Sequence, residues 1–301
     1  MSSRFTFGRT GAALIVGLCL LAGSGPSAQQ LSLEPVKESG SNINPAFEGW
    51  YQNADGTYQL LIGYYNRNSK EALDVAIGPN NHIDPGGPDQ GQPTHFVPRR
   101  GWGVISIKVP KDFGDKKLVW TLTVNGRTSA IPFGLTKGYQ VEPYKDAAMG
   151  NTPPKIKFAE GGPEMTGPPA PLSTYPTLTG TAGEAVPITL WITDDANDDT
   201  PTTGSAPPPP PAAAARAARP RINVVMSKYR GPVGDIKFAD NTPTIEKDGK
   251  ATTTAIFPSA GEWVIRIEGN DSSGVGGGGF QCCWTTVYLK VNVKAAATGG
   301  H

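Results

Sequence analysis

From Phe47 onward the apolar residues recur at every second position, which is the period of a strand with one face in a core. Tyr58, Leu60, Ile62 and Tyr64 alternate with Gln59, Leu61, Gly63 and Tyr65. Ile105, Ile107 and Val109 form a second set, and Leu118, Trp120, Leu122 and Val124 a third. The third run ends at Asn125-Gly126 and gives way to Arg127–Phe133, where Ala130, Ile131 and Phe133 are apolar. Asn-Gly between two such runs predicts a two-residue hairpin, because both turn positions require positive φ. The same alternation returns further on. Val186, Ile188, Leu190 and Ile192 share one side, with Thr189, Trp191 and Thr193 opposite. Trp263, Ile265 and Ile267 are expected to face inward against Val264, Arg266 and Glu268. Val287, Leu289, Val291 and Val293 are expected inward, with Tyr288, Lys290 and Asn292 outward. No stretch reads as a long amphipathic helix.

Two interruptions divide this pattern. The segment from Pro79 to Arg100 has no strand period and gathers His82, His95, Asn81, Asp84 and Asp89 among turn-forming residues. It reads as a long loop, a feature that is uncommon in a compact domain and often functional. After Leu135 the chain turns to Pro, Gly and polar residues, with Lys155-Ile156-Lys157-Phe158 as a short strand candidate within them. With 38 Gly and 29 Pro in 301 residues, the composition suits many short strands joined by turns. The expected fold is all-β, with two tandem sandwiches: residues 29–145 and residues 146–294, the latter interrupted at 204–220 by an insert with five consecutive prolines. Residues 295–301 would form a flexible tail.

The first 28 residues are expected to be a cleaved secretory leader. Arg4 and Arg9 provide the basic start, Gly11 to Ala22 an uncharged apolar stretch, and small residues lead to Ala28. Twelve apolar residues fall short of the roughly twenty that span a bilayer. Loss of the leader leaves 25 Lys plus Arg against 26 Asp plus Glu, a net charge of −1. That balance gives no electrostatic basis for binding nucleic acid or anionic lipid.

The second half carries a resemblance. Ala182-Gly183-Glu184 before a strand, the acidic turn Asp194-Asp195-Ala196-Asn197-Asp198-Asp199, and TTTAIFPSAGEWVIRIEGND from Thr252 to Asp271 are similar to the opening and closing strands of PKD and cadherin-like immunoglobulin-fold domains. It covers roughly residues 151 to 294 and lacks the Trp-Asp-Phe-Gly-Asp-Gly run of PKD proper, so a bacterial immunoglobulin-like relative fits better. The resemblance implies adhesion, spacing or ligand presentation outside the cytoplasm, without catalysis.

Three groups of residues could carry chemistry. In the acidic turn, Asp195, Asn197 and Asp199 start an EF-hand spacing, but Thr200 stands where Gly is needed and Ala206 where Glu is needed. A looser calcium site from Asp194, Asp195 and Asp271 is what the cadherin-like resemblance leaves open. The second group is Cys282-Cys283, the two cysteines left after loss of the leader. A vicinal disulfide, a reduced pair, and intermolecular bridging or binding of a soft metal such as Cu(I) all remain open. Alternation places Cys283 inside and Cys282 and Trp284 outside, so that an apolar sulfur surface beside Trp284 could stack on a sugar. Trp50, Tyr51 and Trp102 are further stacking candidates. The third group, His82 and His95 with nearby carboxylates, matches no compact metal spacing.

Two enzyme classes find no support. Gly269-Asn270-Asp271-Ser272-Ser273-Gly274 has a faint serine-protease flavour but no well-placed histidine, and no carboxylate pair stands out for a glycosidase. The expectation is a periplasmic or secreted, non-enzymatic module without a cofactor other than the calcium ion left open above. It would bind a protein partner, or alternatively a glycan.

Overall fold

The computed structural model describes residues 37–146, 150–195, 222–276 and 282–297. The leader, the acidic turn beyond Asp195 and the Pro/Ala-rich insert lie outside the described residues. The chain is all-β. Its strands are β1 (Ile43–Gln52), β2 (Tyr58–Asn66), β3 (Leu73–Asp74), β4 (Asn81–Asp84), β5 (His95–Phe96), β6 (Arg99–Val109), β7 (Leu118–Val124) and β8 (Arg127–Phe133) in a first lobe. The second lobe has β9 (Lys155–Lys157), β10 (Met165–Thr166), β11 (Thr177–Thr181), β12 (Ala185–Thr193), β13 (Asn223–Arg230), β14 (Lys237–Phe238), β15 (Lys250–Ile256), β16 (Gly261–Asn270) and β17 (Trp284–Lys294).

Strand order makes both lobes immunoglobulin-like. In the second, one sheet runs β10-β9-β12-β15-β14 and the other β11-β17-β16-β13. Stripped of its edge strand β10, the first sheet has the A-B-E-D order, and the other places C, F and G side by side, as in immunoglobulin domains. β11 pairs parallel with β17. The first lobe sets β1-β2-β6 (A-B-E) against β4-β7-β8 (C-F-G), with β3 and β5 as a small added ladder. Its core holds Leu60, Ile62, Trp120, Leu122 and Phe133, and that of the second holds Ile188, Leu190, Trp263, Ile265 and Val291. The expected hairpin joins β7 to β8, with Asn125 at φ 50° and Gly126 at φ 71°.

The 79–100 segment differs from its expectation, because it contains β4, β5 and the start of β6. Its organiser is a buried polar residue that hydrophobic periodicity does not register. Asn81 donates to the carbonyls of Val75 (2.9 Å) and Pro93 (2.8 Å), and its Oδ1 accepts the indole N–H of Trp120 at 3.0 Å. One amide thereby fastens β4 and the returning loop to the central tryptophan of the core.

Residues 36–301 form one compact unit. The outward sets of β16 and β17 explain how. Val264, Arg266, Glu268 and Tyr288, expected to face solvent, are all buried. The C-F-G face of the second lobe packs on the outer face of the first lobe's A-B-E sheet, so β16 from Trp263 on and β17 up to Leu289 are covered on both sides.

Candidate functional site: the seam between the lobes

The first-lobe wall of this seam is shaped by glycines. Gly63 and Gly103 interrupt the strands β2 and β6, and a Cβ on Gly63 would fall 2.0 Å from the Glu48 carboxylate. Glu48 fills that space at 3% exposure, accepting the Gly103 N–H at 2.7 Å and meeting Arg100 at 2.7 Å. Burial pushes its carboxyl up to about 7, opposed by the Arg100 guanidinium and the Gly103 N–H.

The second-lobe wall supplies the complementary groups. Arg266 pairs with Glu268 on the same face of β16, two residues on, and donates to the Trp102 carbonyl at 2.5 Å. Burial disfavours the Arg266 charge, but Glu268 and the neighbouring Tyr288, Tyr64 and Tyr229 together outweigh it and hold the guanidinium above its usual range. Tyr229 and Tyr288 donate to a single acceptor, the Val104 carbonyl, and Tyr229 also reaches the Gly91 carbonyl at 2.6 Å. Tyr229 is brought there by a bulge between Lys228 and Arg230, where the β13–β16 register slips by one. Burial lifts the Tyr229 hydroxyl to about 12 and the Tyr288 hydroxyl well above its usual range.

Ion pairs close the rim. Lys228 Nζ meets Asp74 at 2.9 Å and donates to the Pro232 and Gly234 carbonyls. Asp74 also holds His95 Nδ1 at 2.9 Å. Partial burial works to raise the Asp74 carboxyl, but its bonds to His95 and Lys228 win and lower it. Arg230 grips Asp89 through two nitrogens at 2.8 and 3.1 Å, which lowers that carboxyl. A cleft of about 360 Å³ opens beside this pair, walled by Ile105, Ile107, Pro171, Leu172 and Tyr229. Its polar groups are already occupied: Arg230 by Asp89, Lys108 by Asp55, and the two tyrosines by Val104.

The sequence candidates fall around this seam. Cys282 and Cys283 are joined in a vicinal disulfide, with α-carbons 3.7 Å apart. The expected exposure of Cys282 and Trp284 is corrected: Cys282 is 6%, Cys283 3% and Trp284 3% exposed, the indole lying against Gly103 of the first lobe and the sulfurs against the Asn151 carbonyl. A Cβ on Gly103 would lie 3.0 Å from the Trp284 ring, so that indole occupies the space the glycine leaves. Its N–H is buried with no hydrogen-bond acceptor among the described residues. A sugar platform at Cys282, Cys283 and Trp284 therefore has no open surface.

The other aromatics also serve internally. Trp50 donates its indole N–H to the Thr136 carbonyl at 2.8 Å, and Tyr51 is buried with its hydroxyl 3.4 Å from that of Tyr144. Trp102 lies under the Arg100 guanidinium, 4.2 Å from the ring centre, and against Gly276.

Asp271 is held by the Asn151 amide at 2.5 Å and by the backbone N–H of Ser273 at 2.8 Å, and Asp195 accepts from Thr152 at 2.8 Å. Residues 151–152 thus bring the ends of β12 and β16 to one segment. Among the described residues no three His, Cys, Asp or Glu side chains converge as metal ligands. His82 and His95 take separate partners, Asp84 and Asp74. Sequence reasoning missed the seam residues Glu48, Arg100, Tyr229 and Lys228. The usable signals were glycines inside regular strands and a charged pair, Arg266 and Glu268, on one strand face.

No family model matches this chain. No curated protein matches it either. Among solved structures, the Yersinia pseudotuberculosis adhesin InvE is similar at a TM-score of 0.25 and 10% identity, over 84% of this chain and 59% of that one. The D0-D1 domains of intimin align at 0.20 and 12% identity, over 83% and 95%. The titin domains z1z2 in complex with telethonin align at 0.23 and 10%, over 84% and 98%. This chain spans about three fifths of InvE. Superpositions this loose give no residue correspondence, so the immunoglobulin-like assignment rests on the strand order.

Proposed function

We propose that this protein is an exported, non-enzymatic module that presents two immunoglobulin-like sandwiches as one rigid unit for contact with a protein partner or cell-surface component outside the cytoplasm. The observation that carries the reading is the seam. A chain whose lobes only needed linking would be served by a flexible tether. Here Arg266, Glu268, Glu48 and two tyrosines are buried between the sheets, and such groups are costly to bury unless the geometry that pairs them is kept. Rigid spacing suits presentation of a binding surface at fixed distance and angle. The PKD/cadherin-like resemblance of the second lobe and the leader-like first 28 residues support the same setting.

A two-part experiment tests this. A reporter active only outside the cytoplasm, fused after residue 36, should become active. Crosslinking of the tagged protein on intact cells should then yield a discrete adduct. Retention in the cytoplasm, or the absence of any adduct at saturating crosslinker, would overturn the proposal.

A further inference from the structure

The Cys282–Cys283 disulfide sits where four parts of the fold meet. It immediately precedes β17, and its sulfurs lie 3.9 and 3.5 Å from the Asn151 carbonyl of the segment joining the lobes. Through its side chain Asn151 holds Asp271 at the end of β16. The next residue, Trp284, closes the β16–β17 ladder opposite Asn270 and fills the space above Gly103 of the first lobe. Cys283 has φ 85°, one of three non-glycine residues with positive φ among the described residues. That conformation is unfavourable for a side-chain-bearing residue. The small ring formed by bonding adjacent cysteines holds Cys283 there, and the direction in which the chain leaves Cys283 sets where the Trp284 indole lands.

We propose that Cys282–Cys283 is a redox modification site for an external dithiol, and that its oxidation state decides whether Trp284 stays seated on Gly103. The chemistry is ordinary thiol–disulfide exchange. One thiolate of the dithiol attacks a cysteine sulfur, the Cys282–Cys283 bond breaks, and a mixed disulfide forms. The second thiolate resolves it, releasing the reagent as a cyclic disulfide. Two electrons and two protons pass to the protein, which is left with two thiols. Without the ring, Cys283 is free to leave its left-handed conformation. The Asn151 carbonyl then faces S–H groups that can donate to it, so the pair in its reduced form has a partner in place. Both cysteines are buried, so attack requires local opening around them, next to the residue that carries the Trp284 indole.

The device goes beyond the binding reading and is tested separately from it. Oxidised, folded protein is titrated with dithiothreitol and followed by intact mass and by tryptophan emission. The expected result is a gain of about 2 Da together with a red-shifted emission. In Trp284→Phe the mass gain should persist while the emission change disappears. Re-oxidation should restore the original spectrum. No mass gain while the protein remains folded would overturn the proposal. So would a reduced protein whose emission and denaturant midpoint equal those of the oxidised form. Neither outcome bears on export or partner binding.

Discussion

Lys228 of the second lobe and Asp74 of the first meet at 2.9 Å, and the lysine side chain is almost wholly buried at that contact. Its ammonium otherwise sees two carbonyls and the ring of Trp263 at 5.3 Å. Removing the carboxylate leaves a buried cation without a counter-charge, which is the costly way to break such a pair. Because Asp74 is itself about a third exposed, Asp74→Ala is expected to cost about 2 kcal/mol in urea unfolding. Lys228→Met with Asp74→Ala should recover most of that loss. A double variant as unstable as the sum of the singles would contradict the pairing.

Glu48 gives the seam a pH dependence. Its native carboxyl, raised to about 7 by burial, binds its proton more tightly than the unfolded side chain does at 4.5. The folded state therefore holds more protons between those values, and stability falls as pH rises through that window. The groups facing it are Arg100 and the Gly103 N–H from the first lobe, and Arg266 and Glu268 from the second. Glu48 is expected to withdraw about 3 kcal/mol between pH 4.5 and 7. Glu48→Gln should flatten that slope in denaturant midpoints measured across the range. Asp74 and Asp89, whose carboxyls are lowered, act in the opposite direction: their contribution is lost as pH falls below the usual carboxylate range.

Much of the fold was legible from alternation, because the long strands bury one face in the core. The hairpin at Asn125-Gly126, the inward positions of Trp120 and Trp263, and the short strand at Lys155 all lie where the pattern put them. The seam was not legible. A period of two names the face opposite the core but cannot say that a second domain covers it. Arg266, Glu268 and Tyr288 look like solvent residues until the A-B-E sheet of the first lobe lies on them. Trp284 was misplaced for the same reason, while the bond between Cys282 and Cys283 was one of the readings their adjacency left open.

Asn81 is the polar equivalent of a core residue. Asn81→Ala would strand the Val75 and Pro93 carbonyls and the Trp120 N–H in a dry interior. Each unmet group costs about 1–3 kcal/mol, so the variant should lose at least about 3 kcal/mol or fail to fold. Asn81→Asp keeps the acceptor for Trp120 but sets a buried carboxylate oxygen against the Val75 and Pro93 carbonyls, and at neutral pH should be no more stable than alanine. An alanine variant with an unchanged midpoint would show that β4 is held by other means.

The seat of Trp284 is tested from the first lobe. Gly103 has φ 47°, and an added Cβ would press on the indole at 3.0 Å. Gly103→Ala is expected to destabilise by about 1–3 kcal/mol, the usual range for overpacking. Trp284→Ala should cost about 3–5 kcal/mol as a cavity. Combining them should cost less than the sum, since the methyl group then meets empty space. Strict additivity would place Trp284 away from Gly103.

Calorimetry of residues 37–301 addresses the central claim most directly, because two sandwiches locked across one seam should unfold together. The expected thermogram is a single transition whose calorimetric and van't Hoff enthalpies agree. Two resolved transitions, each with the enthalpy of one lobe, would contradict a rigid two-lobe unit.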